Sequence, residues 1–308
     1  QYAAGSGIVQ YSYVYPKESS ITPEQKTYIK SYADSFENAL HAGSYQDTAI
    51  GWRHYADEKT FIDYFIVNEV SRNVDGYRLS SYFYKDRNSK GGKIKAGPVW
   101  DYDLAFRNAD YCNGSNIDGW SYKFNSVCPT DFWQVPFWWD KFLSDSAFKN
   151  KLKCRWKDLR ATTLSISHCY QVIDSIVNLT AEARQRHFVQ WPVLGEYVWP
   201  NPQPIPTSYE GEIQTLKQWL AARLDWIDKN LSNVGSCADY PGDVNSSFLI
   251  NTLPNPFKDG DYVIVQSKES QVLQVKVMDA AGRLMWYSSY RLRAGNNYFR
   301  VPVTNWNG

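Results

Sequence analysis

No run of apolar residues in this 308-residue chain approaches the length of a membrane span, and the stretch from Gln1 lacks the basic start and apolar middle of a signal peptide. A soluble chain, mature or cut at its start, is expected. Neither sign of charge is in excess: 33 Lys and Arg stand against 32 Asp and Glu, a formal charge of +1. That excludes a global field drawing the protein to nucleic acid or to an anionic membrane. Cysteine is scarce, and five residues are too few for a disulfide scaffold. The four histidines, His41, His54, His168 and His187, show no metal-ligand spacing with cysteine or carboxylate and read as structural or solvated. What is abundant is aromatic: 13 Trp and 23 Tyr suit a secreted protein with broad aromatic packing and a sugar-facing surface, packing taking most of them. At this length the chain holds one large domain or two ordinary ones and buries a real core.

Along the chain, Val9, Tyr11, Tyr13 and Tyr15 alternate as one strand ending at Pro16. Thr22-Pro23-Glu24-Gln25 reads as a capping box with proline at the first helical position, opening a helix to about His41. Asp57 heads a second helix carrying Phe61, Ile62, Phe65, Ile66 and Val70, apolar round more than half its circumference and so central to the core. Residues 80–84 and 93–99 read as a hairpin joined by a polar, glycine-containing loop. Helices are expected over 136–142, 146–160, 167–188 and 212–231, with a proline-rich excursion between Trp191 and Pro206 that carries Tyr197 and Trp199. From about residue 249 strand alternation takes over, which places a linker at 237–248 between a first domain (1–236) and a small β-sandwich (249–308) that stops before its last strands. The fold class is α+β.

The chemistry-bearing stretch is Gly97-Pro98-Val99-Trp100-Asp101-Tyr102-Asp103, read with Asn73-Val74-Asp75-Gly76-Tyr77. Asp75 lies just before the first hairpin strand and Asp101 just after the second, and in a hairpin those two points are neighbours. Carboxylates converging at a strand-to-loop junction suit a hard cation such as Mg²⁺. The same spacing serves turns and caps, and separation in space, as for a glycosidase carboxylate pair, is not encoded locally. Among the cysteines, Cys112 and Cys128 flank a polar, Gly/Asn-rich loop and are expected to pair in an oxidising compartment. Cys154 and Cys169, on neighbouring helical segments, either pair or stay buried thiols, with Cys237 the odd one; spacing leaves this open.

Taken together, several segments in order resemble the carboxy-terminal part of the spore-coat protein H (CotH) kinase family. They are Thr22-Pro23-Glu24-Gln25, Phe61-Ile62-Asp63-Tyr64-Phe65 to Asn68-Glu69, Asn73 through Ser80, Tyr84-Lys85-Asp86, Gly97 through Phe106, Leu152 through Trp156, and Trp219 to Arg223. The resemblance implies a mostly helical kinase-like C-lobe whose short hairpin carries the acidic site. It implies an atypical protein kinase that moves the γ-phosphoryl of ATP to Ser or Thr of secreted or surface proteins, with Mg or Mn. Asp75 matches the family's catalytic aspartate. Asp101 matches the metal- and cofactor-binding aspartate, with Asp103 a further candidate for metal or turn support. Two positions depart from the pattern. Leu79-Ser80-Ser81 stands where the family often has an Asn for a second metal, and serine is a poorer Mg²⁺ ligand. Nothing before Asp75 supplies a glycine-rich phosphate loop or a strand lysine, so the chain is expected to begin after the amino-terminal lobe and, alone, to transfer phosphate inefficiently.

From about Leu253, Pro254-Asn255-Pro256-Phe257 and Val275 through Leu284 resemble a type IX secretion sorting domain, which implies export to the surface or outside of a Gram-negative cell. The competing expectation is a non-catalytic surface protein on the same scaffold, its aromatics Trp191, Tyr197 and Trp199, or Trp133, Trp138 and Trp139, either packed down or stacking on polysaccharide.

Overall fold

The structure, a computed structural model, describes residues 3–4, 7–231, 237, 248–253, 262–267, 269–278 and 284–300. Two short strands, β1 (Ala3–Ala4) and β2 (Gly7–Ile8), pair antiparallel. The tyrosines that follow do not continue them. Residues 9–20 are irregular or turn, and Tyr11 is tied down by its side chain: its hydroxyl donates to Glu37 Oε1 at 2.6 Å and its ring stacks on Trp138. The alternating pattern of a strand is present here without a partner strand to satisfy its backbone.

Helix α1 (Pro23–His41) opens with the expected capping box: Gln25 N donates to Thr22 Oγ1 at 3.2 Å and Thr22 N to Gln25 Oε1 at 2.9 Å. Helix α2 (Glu58–Ser71) buries Phe61, Ile62, Tyr64, Phe65, Ile66 and Val70 on more than one face and is the axis of the core. Around it pack Phe36 and Leu40 of α1, and Trp138, Trp139 and Phe142 of α4 (Trp138–Ser144). Phe148, Leu152 and Trp156 of α5 (Ser146–Ala161) and Trp219, Leu220, Leu224 and Ile227 of α8 (Tyr209–Asn230) complete the shell. Truncating a buried ring such as Phe61 costs about 3–5 kcal/mol in a core of this kind. A short α3 (Phe124–Val127) precedes α4. The helix expected over 167–188 is two helices, α6 (Ile166–Leu179) and α7 (Ala181–Gln190). Thr180 breaks them: its hydroxyl bonds back to the Ile176 carbonyl at 2.8 Å, a local alternative to the helical ladder.

Two antiparallel strands, β3 (Ser81–Lys85) and β4 (Ile94–Val99), form the hairpin, with Ser81 opposite Val99 at one end and Lys85 opposite Ile94 at the other. The hairpin lies against α2: Asp57 N donates to the Ile94 carbonyl at 2.8 Å and Ala96 N to Thr60 Oγ1 at 3.1 Å. Cys112 and Cys128 are bridged as expected, Cα to Cα 5.7 Å. The second bridge joins Cys154 to Cys237, Cα to Cα 5.5 Å, and leaves Cys169 free, which corrects the Cys154–Cys169 alternative. Cys154 is buried in α5, whereas the Cys169 thiol turns back to the Thr163 carbonyl of its own segment.

The chain separates into two units, residues 1–238 and 239–308. In the second, β5 (Phe248–Leu253), β6 (Tyr262–Ser267) and β9 (Gly295–Arg300) form one antiparallel sheet in the order β5-β6-β9, and β7 (Gln271–Met278) pairs with β8 (Leu284–Leu292) in another. Val263, Val265, Leu273, Leu292 and Phe299 form its core. The expected turn at 279–283, the Pro254–Phe257 segment and most of the 237–248 linker lie outside the described residues. Helical and separate antiparallel strand elements together make an α+β fold. No helix among the described residues is long and apolar enough to cross a membrane.

Candidate functional site

Helix α2 ends in a charge cluster that fixes where the chain goes next. Arg223 of α8 donates to Glu69 Oε2 at 2.9 Å, with both side chains no more than 1% exposed. Glu69 also accepts from Ser121 N, Tyr122 N and the Tyr77 hydroxyl, so the buried carboxyl, which burial raises above its ordinary range against the pull of Arg223, is met on every side. Burial pushes the Arg223 guanidinium down to about 10, still a cation at neutral pH. Arg72 closes the helix at φ +50°, its guanidinium donating to the carbonyls of Asn113 and Gly119. The next residue is Asn73, fully buried, and it reaches two ways: its Oδ1 accepts from Asp75 N at 3.1 Å and its Nδ2 donates to the Asp101 carbonyl at 3.1 Å. One side chain thus ties together the two backbone segments that carry the acidic residues. Phe106 N to the Ser71 carbonyl and Val74 N to the Leu104 carbonyl reinforce the same junction.

Asp75 heads a tight turn whose carbonyl accepts from the amides of Arg78, Leu79 and Ser80. The turn runs directly into β3 and is pinned where the Tyr64 and Ser81 hydroxyls both donate to the Gly76 carbonyl. Gly76 is obligatory by space: a Cβ there would meet Asn68 Oδ1 at 1.8 Å. That oxygen accepts from the Tyr102 hydroxyl, so the Asp75 turn and the Asp101–Asp103 loop share a second buried tie. Asp101 itself sits at φ +62°, in the left-handed region that aspartate tolerates better than most residues, and the bond from Asn73 holds it there.

The hairpin register sets Asp75 and Asp101 at the same end, since β3 begins where β4 ends. Asp101 and Asp103 are exposed, and the neighbouring Asp103 charge, with lesser help from desolvation and a shared hydrogen bond, raises the Asp101 carboxyl above its ordinary range. Asp103 Oδ1 also accepts from Leu104 N at 2.9 Å. Asp75 is raised too, first by burial and then, against the pull of Arg78, by the charges of Asp103, Asp131 and Asp101. Its Oδ1 accepts from Arg78 Nη2 at 2.8 Å, while Oδ2 accepts no hydrogen bond from any described residue. Asp75 therefore feels three other carboxylates and one guanidinium.

Sequence reasoning named Asp75, Asp101 and Asp103; the structure sets three further residues about Asp75 that it did not name. Arg78 is three residues from Asp75, a spacing at which a turn brings the side chains together, and that signal was available. Asp131, which accepts from Arg78 Nη1 at 3.0 Å, comes from 53 residues away and gives no local sign. Tyr111, pushed up to about 12 by burial and by the Asp75 charge, stacks on Trp199 at 6.1 Å between ring centres. Trp199 belongs to the proline-rich excursion, which is strapped onto the loop after the acidic pair. Arg107 Nη2 donates to the carbonyls of Pro202 and Pro204, Asp110 N to that of Pro200, and the Tyr197 hydroxyl to Asp110 Oδ2. Trp138 and Trp139, by contrast, are core residues and present no face to a ligand.

The donor set fits one kind of cation binding and not another. Among the described residues no three His, Cys, Asp or Glu side chains are grouped to hold a metal by themselves. Two adjacent carboxylates under mutual repulsion do suit a Mg²⁺ or Mn²⁺ that arrives with phosphate oxygens completing its shell.

A helical domain with an acidic site at one end of a short hairpin is the class this geometry defines. The family described as CotH kinase protein matches residues 1–227, and the chain belongs to it. No curated protein and no solved structure is matched.

Proposed function

We propose that the chain carries the acidic site of an atypical protein kinase, which transfers the γ-phosphoryl group of ATP to Ser or Thr of secreted or surface proteins. The observation that carries this reading is Asp75, its Oδ1 held and its Oδ2 open, at the hairpin end shared with the Asp101–Asp103 pair. Phosphoryl transfer asks little covalent chemistry of a protein beyond positioning and charge. Asp75 Oδ2 takes the proton of the acceptor hydroxyl, and its raised carboxyl lies closer to neutrality than an ordinary aspartate, as a general base requires. Asp101 and Asp103 would hold a divalent metal, which when bound neutralises phosphate charge. Ser81, near the place of the family's second metal ligand, is spent on the Gly76 carbonyl, so a single metal is the expectation. With no phosphate-gripping loop or strand lysine assigned to this reading of the site, residues 1–308 alone are expected to transfer phosphate inefficiently.

Two disulfides suit an oxidising compartment, and the resemblance of residues from about Leu253 to a type IX sorting domain supports export to the cell surface. Removing 249–308 is then expected to retain the protein inside the cell envelope; unchanged surface display would refute export by this tail.

The test of the kinase reading is incubation of the protein in its full natural length with Mg²⁺ or Mn²⁺, ATP and acceptor proteins, followed by mass spectrometry. Phosphoserine or phosphothreonine that disappears with Asp101→Ala supports it, and none with either protein removes it. A second reading, a non-catalytic polysaccharide-binding surface protein, is favoured by one observation: Trp199 is 64% exposed and stacked nearly parallel to Tyr111, a platform for a sugar ring. Binding to defined glycans that is lost in Trp199→Ala would support this, and uniform absence of glycan binding would end it.

A further inference from the structure

We propose that Arg78 is the positioning residue of the site, selecting which oxygen of Asp75 meets the acceptor hydroxyl and fixing its direction. The inference rests on the kinase reading for the role of Asp75 and on the side-chain geometry for its own content.

Arg78 is nearly enclosed, its side chain 4% exposed, and its guanidinium is held on every edge. Nε donates to the Val74 carbonyl at 2.9 Å, Nη1 to Asp131 Oδ1 at 3.0 Å and to the Trp133 carbonyl at 3.1 Å, and Nη2 to Asp75 Oδ1 at 2.8 Å. The face of the group lies 4.1 Å over the Phe124 ring. Asp131 is fixed in turn, its Oδ1 accepting from Trp133 N and its own amide donating to the Cys128 carbonyl. The planar fork therefore has one orientation, set by four partners other than Asp75, and Asp75 must conform to it.

Two consequences follow for Asp75. Its Oδ1 is tied to Arg78, which leaves Oδ2, bonded by no described residue, as the oxygen freer to accept a proton. Its ionised form is also kept available amid three other carboxylates, since Arg78 opposes the combined effect of burial, Asp103, Asp131 and Asp101. A lysine at this position keeps the charge and loses the fork, and a glutamine keeps one donor and loses the charge, so the two functions separate by substitution.

The groups facing Asp75 are Arg78, Asp131, Asp101, Asp103 and Tyr111, and any titration must be read with all of them in place. The experiment compares wild type, Arg78→Lys and Arg78→Gln in the full-length protein, with circular dichroism confirming the fold. Phosphoryl transfer is read against pH, and the Asp75 carboxyl is titrated separately by carbon-13 NMR. In Arg78→Gln the Asp75 pKa is expected to rise by about one unit or more, and the acidic limb of the rate profile to move up with it. In Arg78→Lys the limb stays in place while kcat falls by about tenfold or more, as expected for misdirected general-base chemistry, with KM for ATP unchanged. A folded Arg78→Gln with an unshifted Asp75 titration overturns the inference whether or not the wild type transfers phosphate. So does an Arg78→Lys enzyme of wild-type kcat. Absence of transfer by wild type, with the titration shift intact, counts against the kinase reading alone.

Discussion

Two charge clusters lie within a few residues of each other at the end of α2, and they are built on opposite principles. At Glu69 every charge has its counterpart: Arg223 and a hydroxyl and two backbone amides meet the carboxylate, and the fit is sealed from water. At Asp75, six residues further on, three other carboxylates act on the one that Arg78 holds, two of them stand exposed, and one oxygen of Asp75 has no hydrogen-bond partner among the described residues. A satisfied cluster is a fixture of the fold. An unsatisfied one holds free energy that a cation and a proton-bearing substrate can release, and that is the mark of a site.

Neutralising one member of each cluster separates the two most sharply. Asp75→Asn keeps size and Oδ1 acceptor but loses the base, and phosphoryl transfer is expected to fall by about 10²–10⁴-fold with thermal stability little changed; kinetics and a melt on the same sample check it. Glu69→Ala is the opposite case. It strands Arg223 in the core and should cost about 3–5 kcal/mol, read as a lower midpoint in a urea titration. The loop that carries Asp110 and Tyr111 is stapled by Cys112–Cys128, and Cys112→Ser with Cys128→Ser should cost about 2–4 kcal/mol by the same titration.

The smallest effect concerns pH. Asp103 raises the folded-state pKa of Asp101 above the ordinary 3.8, so the ionised pair costs the folded state at neutral pH and the cost vanishes on protonation. Asp103→Asn should therefore melt higher than wild type at pH 7. Its advantage should shrink as pH falls through the folded pKa of Asp101 and be gone below the unfolded value. Asp145 behaves inversely: although burial opposes it, hydrogen bonding and charge from Arg53 hold it low, so its contribution is present above 3.8 and lost on acidification. Differential scanning calorimetry from pH 3 to 7 on wild type, Asp103→Asn and Asp145→Asn reads both signs.

What was legible in the sequence was local. The capping box at Thr22 and the all-round apolar α2 announce themselves through nearest neighbours and helical period, and the hairpin through its turn residues. From the hairpin alone it follows that the chain before β3 and the chain after β4 meet. Pairings made across the fold left no such trace. Asp131 reaches Arg78 over 53 positions, Arg223 reaches Glu69 over 154, and Cys154 finds Cys237 over 83. The tyrosines from Val9 to Tyr15 misled because alternation specifies a strand only where a second strand accepts its backbone. Thr180 misled because its side chain competes with the helix it interrupts.

The most direct test of the central claim, that the unsatisfied carboxylates await a metal carried with phosphate, is a Mn²⁺ titration of the full-length protein by electron paramagnetic resonance, with and without ATP. Weak Mn²⁺ binding alone, tight binding with ATP, and loss of the ATP-dependent component in Asp101→Asn and Asp103→Asn are expected. ATP-dependent Mn²⁺ binding that survives both substitutions, or no such binding by the wild type, would contradict the claim.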